Sequence, residues 1–111
     1  RGGNDIKVKW FDDDTNLHEV WDEKLIEQQN LSYTEYAHFL NLEFDESECI
    51  KWMVKDFEFY ANESKKYRNV CYSFETNNLT YNYMFVTKPI LDMRLMQAGV
   101  RLADLFNNIF N

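Results

Sequence analysis

Two side chains in this 111-residue chain have the types and spacing for chemistry: His18 and Asp22. They stand four apart in Asn16-Leu17-His18-Glu19-Val20-Trp21-Asp22. In a helix both would leave one face, about a turn from each other. On a helical wheel at about 100° per residue they fall between Trp21 and Leu25 on one side and Ile26 on the other. Glu19, Glu23, Lys24 and Glu27 take the opposite, solvated arc. The pattern therefore places an imidazole and a carboxylate inside the apolar arc, where burial is expected. Buried charged groups are normally paired or metal-bound. One reading is a His–Asp hydrogen bond or ion pair closed within the helix. The other is that the imidazole nitrogen and the carboxylate oxygen supply two ligands to one Zn²⁺. Two ligands are too few for zinc, so a third would have to come from elsewhere.

The elements that must position this pair come from local pattern. Arg1 to Asp5 is turn-like, with Gly2 and Gly3 free to take positive φ and Asn4 offering an amide. Ile6, Val8 and Trp10 alternate with Lys7 and Lys9, which predicts a short strand over residues 6–11. Asp12-Asp13-Asp14 reads as a polar turn. Asn16, or else Thr15, caps a helix running to about Gln29, with Asn30 ending it. Ser32-Tyr33-Thr34-Glu35 has capping-box form and opens a helix over 33–41. His38 on that helix has no ligand-like spacing and reads as structural or exposed.

Asp45-Glu46-Ser47-Glu48 is a second capping box. From Ile50 to Phe74 an apolar stripe steps by three or four, which predicts one long packing helix with Glu63 and Ser64 near the stripe. Cys49 and Cys71 would then lie about 33 Å apart and could not bridge each other. Glu75 to Thr80 reads as an Asn-rich loop. A helical piece follows from Tyr81, and Pro89 kinks it or opens a new helix. Leu91, Leu95, Ala98, Leu102, Leu105 and Ile109 form one face of the last helix. Gly99 there is best explained by close packing on a neighbour. Arg94 and Arg101, seven apart, share a face and suit acidic partners.

The whole chain sets bounds. Its length holds one small domain with one core. The net charge of −7 argues against a generic basic nucleic-acid surface. It leaves room for a metal-centred site, where cations supply the positive charge. No apolar run approaches the roughly 20 residues of a membrane span. No signal peptide, internal repeat, P-loop or nucleophilic triad is present. The start at Arg1, without methionine, suggests a processed product or a fragment. Asn-x-Ser/Thr sequons stand at Asn30, Asn62 and Asn78, but in so Asn-rich a chain some arise by chance and Asn62 lies in a predicted helix, so glycosylation is not inferred.

Taken together, Arg1-Gly2-Gly3-Asn4, a strand, and then Asn16-Leu17-His18-Glu19-Val20-Trp21-Asp22 resemble the S1/P1 nuclease family. Tyr60-Ala61-Asn62-Glu63-Ser64 resembles that family's W-A-x-E-S helix, with Tyr60 in place of tryptophan. Ala98-Gly99-Val100-Arg101-Leu102-Ala103-Asp104-Leu105-Phe106-Asn107 resembles its C-terminal A-G-x-R-L-A-x-L-L-N stretch. Order and approximate spacing agree along nearly the whole chain.

The resemblance implies a mainly α-helical bundle of the phospholipase C/P1 nuclease type with a short N-terminal strand. Residues 1–111 would form the C-terminal portion of one such domain. It implies a three-zinc phosphodiesterase that cleaves single-stranded DNA or RNA to 5′-mononucleotides, with 3′-nucleotidase activity, secreted or periplasmic. His18 and Asp22 would ligate one zinc. Gly2, Gly3 and Asn4 would help form the nucleobase pocket, the glycines admitting a flat base and Asn4 bonding its edge; this favours a nuclease over a zinc phospholipase C. The family's other ligands lie upstream of the Gly-Gly-Asn, at positions this chain does not contain. The chain alone is therefore expected to be inactive unless the N-terminal half of the enzyme completes it. The alternative is a non-catalytic acidic helical interaction module that keeps the His–Asp pair as a structural contact.

Overall fold

The structure is a computed structural model describing residues 2–53 and 56–110. It is mainly helical, as expected, and the expected N-terminal strand belongs to one small sheet. Strand β1 (Lys7–Trp10) pairs antiparallel with β2 (Asp13–Asn16). The hairpin turns on Phe11 and Asp12, both at positive φ, 48° and 75°. Two such residues give the turn whose twist matches paired strands. The acidic triplet is thus not a turn of its own: Asp12 turns, while Asp13 and Asp14 belong to β2. Asn78 holds the turn, accepting from the Asp12 amide at 2.9 Å and donating to its carboxylate at 2.7 Å.

The expected 75–80 loop supplies a third strand. Residues Asn78–Leu79 (β3) pair parallel with Lys9 and Trp10, giving the order β2-β1-β3. Two residues are too few for a hydrophobic pattern to reveal a strand.

The helix after β2 has three parts: α1 (Leu17–Glu19), a π-helical turn (Val20–Lys24) and α2 (Leu25–Glu27). Asn16 caps it, its side chain accepting from the Glu19 amide at 2.9 Å. Asn30 ends the rod at φ 56°. Both capping boxes form, on α3 (Tyr33–Glu43) and α4 (Glu46–Lys51).

The long third helix does not form. It breaks after α4 and restarts as α5 (Phe57–Cys71) with Asp56 as its cap. The apolar spacing continues across the break, so periodicity alone concealed it. Asp56 accepts from the Phe59 amide at 2.8 Å, and the Trp52 carbonyl is taken by Arg101 Nε at 2.7 Å. Both contacts favour ending one helix and starting another. The 33 Å separation argument lapses with the helix, and both cysteines are free thiols.

Helix α6 (Tyr81–Phe110) runs through Pro89, which opens no new helix. Proline deprives the carbonyl four residues back, that of Phe85, of its donor. Phe85 is 80% exposed, so water can serve that carbonyl.

The core is Val8, Trp10, Leu17, Val20, Leu25, Leu79, Tyr83 and Leu91. It lies between the sheet, the first helical rod and the early turns of α6. Later on the α6 stripe, Leu102, Leu105 and Ile109 are exposed. Gly99 packs closely on nothing: a Cβ there would meet no atom within 4 Å. It lines an apolar hollow of about 410 Å³ with Ala37, Leu40, Leu95 and Ala103.

Two polar clusters fix the helices to one another. Glu63 is buried and accepts from Arg101 at 2.7 and 2.9 Å and from Arg94 at 2.7 Å, tying α5 to α6. The arginine pairing expected from sequence therefore exists, and Ser64 takes part, its Oγ accepting from Arg94 Nη2 at 2.8 Å. Hydrogen bonds first from Arg101 and then from Arg94 hold the Glu63 carboxyl below its ordinary range against the opposing effect of burial. In the second cluster buried Asp92 accepts from Tyr36 and from Lys88, both at 2.6 Å, which ties α3 to α6.

Candidate metal centre

The Gly2-Gly3 turn sits beneath the start of α1. Both glycines have positive φ, 61° and 88°. The Gly3 carbonyl accepts from the Ile6 amide at 3.2 Å and from the His18 amide at 3.3 Å, while Ile6 O accepts from the Leu17 amide at 3.0 Å. A Cβ on Gly3 would come within 3.0 Å of the His18 nitrogen. Glycine is needed here for both conformation and space. Gly3 is buried, Gly2 exposed and Asn4 half-buried.

Above this turn, His18 Nε2 lies 2.9 Å from Asp22 Oδ2. His18 Nδ1 lies 3.2 Å from the Gly2 carbonyl oxygen. A carbonyl only accepts, so Nδ1 donates in that contact. An ionised carboxylate also only accepts. Both ring nitrogens thus face acceptors. That suits an imidazolium, or a neutral ring whose Nε2 lone pair shares a cation with Asp22. The tautomer set by Gly2 is the one a metal-binding Nε2 requires, so the pair fits zinc as two of its ligands. Among the described residues no group of three or more His, Cys, Asp or Glu gathers to hold a metal.

Burial of the pair is corrected. The His18 side chain is 44% exposed and that of Asp22 69%. The cause is the π-helical turn, in which the Leu25 amide bonds Val20 O, five residues back. This brings Val20 and Leu25, both fully buried, onto the core side and leaves His18 and Asp22 at the rim. A wheel drawn for an unbroken α-helix cannot show that. An isolated π turn inside an α-helix is often found at a functional site.

The turn is anchored by a residue that sequence reading missed. Trp21 Nε1 donates to Tyr83 Oη at 2.8 Å, and Tyr83 Oη donates to the Cys71 carbonyl at 2.6 Å. Tyr83 is buried, and burial raises its phenol well above the ordinary range, so the hydroxyl keeps its proton. Its acceptor is the last carbonyl of α5, a group that lacks an intrahelical partner. Tyr83 is 62 positions from Trp21, too far for local spacing to reveal. His38 is exposed, beside Phe39, as expected.

The pair opens on a hollow of about 180 Å³ lined by Gly2, Leu17, His18, Trp21, Asp22, Cys71 and Tyr72. Tyr72 also escaped sequence reading, and Cys71 was read there without a place in the site, because both come to it from the end of α5, more than fifty positions along the chain from His18.

Comparison with known proteins shows the family. The chain is 33% identical to Endonuclease 3 of Arabidopsis thaliana over 131 aligned positions, 99% of this chain and 43% of the relative. It is 31% identical to Endonuclease 4 and 30% identical to Endonuclease 2 of the same plant, with 99% of this chain covered in each case. The chain thus spans less than half the length of these curated relatives, 43%, 42% and 43%. The family model described as S1/P1 Nuclease matches residues 1–111. From the Gly-Gly turn to the C-terminal helix, the chain belongs to the S1/P1 nuclease family.

Proposed function

We propose that this chain supplies part of the active site of a zinc-dependent phosphodiesterase that cleaves single-stranded DNA and RNA to 5′-mononucleotides and acts as a 3′-nucleotidase. The observation that carries this reading is the His18–Asp22 pair, with Gly2 O holding the ring so that Nε2 faces Asp22. His18 and Asp22 are two ligands of one zinc. When bound, zinc in such a site activates water and stabilises charge on the phosphate. His18 presents Nε2, Asp22 balances charge, and Gly3 keeps the backbone of the turn against the helix start. Gly2, Gly3 and Asn4 form one wall of the base pocket. Gly2 leaves the mouth open, Gly3 supports it from below, and Asn4 supplies the polar edge.

The chain alone is inactive, because the other ligands belong to the N-terminal part of the enzyme. Relatives with more than half their length outside the match support this. The whole enzyme is secreted. Among the described residues no helix is long and apolar enough to cross a membrane.

A chimera tests the reading: the part of Endonuclease 3 preceding the matched segment, joined to this chain. The chimera should cleave single-stranded DNA and RNA, lose activity to a chelator, and lose it at least about 100-fold with His18→Ala, in line with other metal-site losses. The isolated chain should not cleave. A folded chimera without activity, or one indifferent to His18→Ala, would overturn the proposal.

A further inference from the structure

Beside the metal pair lies a second hollow that the proposed chemistry leaves unexplained. It measures about 290 Å³ and is lined by Ser64, Lys65, Arg68, Cys71 and Tyr72. It shares Cys71 and Tyr72 with the hollow of His18 and Asp22, so the two are contiguous. Lys65, Arg68 and Tyr72 are spaced by three and four along α5 and its cap, which puts them on one face. All three are exposed. The Arg68 guanidinium lies over the Tyr72 ring, 5.8 Å from its centroid. Among the described residues neither Lys65 nor Arg68 forms an ion pair, although the chain carries a net charge of −7. Among the described residues, Asp22 is the only acidic one lining either hollow. Arg68 also suits the negative end of α5, but this does not account for Lys65 and Tyr72 sharing its face.

We infer that this face is a subsite for a single-stranded nucleic acid flanking the metal pair. Lys65 and Arg68 meet backbone phosphates, and Tyr72 offers its ring to a base. Unpaired cations beside an exposed aromatic ring are what a flexible strand requires: phosphates bind charge, and every base has a face to stack. The inference rests on the nuclease reading and deepens it. It locates substrate contacts on α5, outside the ligands and the Gly-Gly-Asn turn.

The test uses the 111-residue chain without metal, so that it stands apart from zinc binding. A fluorescein-labelled oligothymidylate of roughly a dozen nucleotides, within the usual span of such sites, is titrated at low salt and followed by anisotropy. Lys65→Glu with Arg68→Glu should weaken binding at least about fivefold. It should also reduce the salt slope by roughly 1.4, two phosphate contacts at about 0.7 each on a single strand. Tyr72→Ala should weaken binding and Tyr72→Trp should restore it. Because these side chains are exposed, unchanged circular dichroism should accompany each loss. Four results would overturn the subsite: no binding by the wild-type chain, unchanged affinity in the double variant, an equal loss with remote Lys7→Glu, or equal displacement by polyglutamate. The nuclease reading would stand or fall separately, on zinc and cleavage.

Discussion

At the scale of single residues, position matters more than type. His18 and His38 are both exposed imidazoles, yet only His18 has its Nδ1 tied to a carbonyl and its Nε2 aimed at a carboxylate. Their sequence contexts separated them, since only the first has an acid four residues on. What the sequence could not show was exposure, because the π turn altered which side chains face the core. Gly3 illustrates a second local requirement. Gly3→Ala would strain a backbone at φ 88° and press a Cβ to 3.0 Å from the His18 nitrogen. It should cost about 2 kcal/mol, read by urea denaturation, and should also reduce zinc binding at His18. Gly99→Ala has open space and an ordinary helical position, so it should stabilise by about 0.5–1 kcal/mol in the same assay.

At the scale of elements, two contacts join segments far apart in sequence. Tyr83→Phe removes the acceptor of Trp21 and the donor to Cys71 O. The loss should be about 1–3 kcal/mol, measured by denaturant melting with tryptophan fluorescence as a second reporter. Glu63→Gln keeps the shape of the side chain but removes the charge that two arginines share. It should cost about 2–3 kcal/mol near neutral pH. The sign with pH follows from the direction of the shift. A carboxyl held below its ordinary value of 4.5 gives its full stabilisation above that value and loses it as pH falls through the lower, folded one. Wild-type and Glu63→Gln stabilities should therefore converge in acid, and parallel curves would refute the role.

Capping boxes, the Asn16 cap and the Arg94–Arg101 face were legible because each is set within a few residues. The break before Asp56 was hidden by an apolar rhythm that runs straight across it. The parallel strand at Asn78–Leu79 was hidden because its pairing partner lies about seventy positions away.

At the scale of the whole molecule, a small core coexists with much uncovered apolar surface. Leu102, Leu105, Phe106 and Ile109 on α6 are all about half or more exposed, at 56, 48, 51 and 63%. The stripe predicted for the last helix is present, but only its first turns are buried within this chain. Patches of this kind promote association. The isolated chain should self-associate or bind a hydrophobic dye, and Leu102→Glu with Ile109→Glu should reduce both without loss of helix content. Light scattering and dye fluorescence check this; a monodisperse wild-type chain that binds no dye would contradict it.

The central claim is that His18 and Asp22 are metal ligands, and the most direct measurement is the long-range proton–nitrogen spectrum of the imidazoles in the ¹⁵N-labelled chain titrated with zinc. The Nε2 signal of His18 should move with zinc, and Asp22→Asn should weaken that response about tenfold or more. His38 is the internal control. A zinc response at His38 equal to that at His18, or no response at His18 at all, would contradict the account.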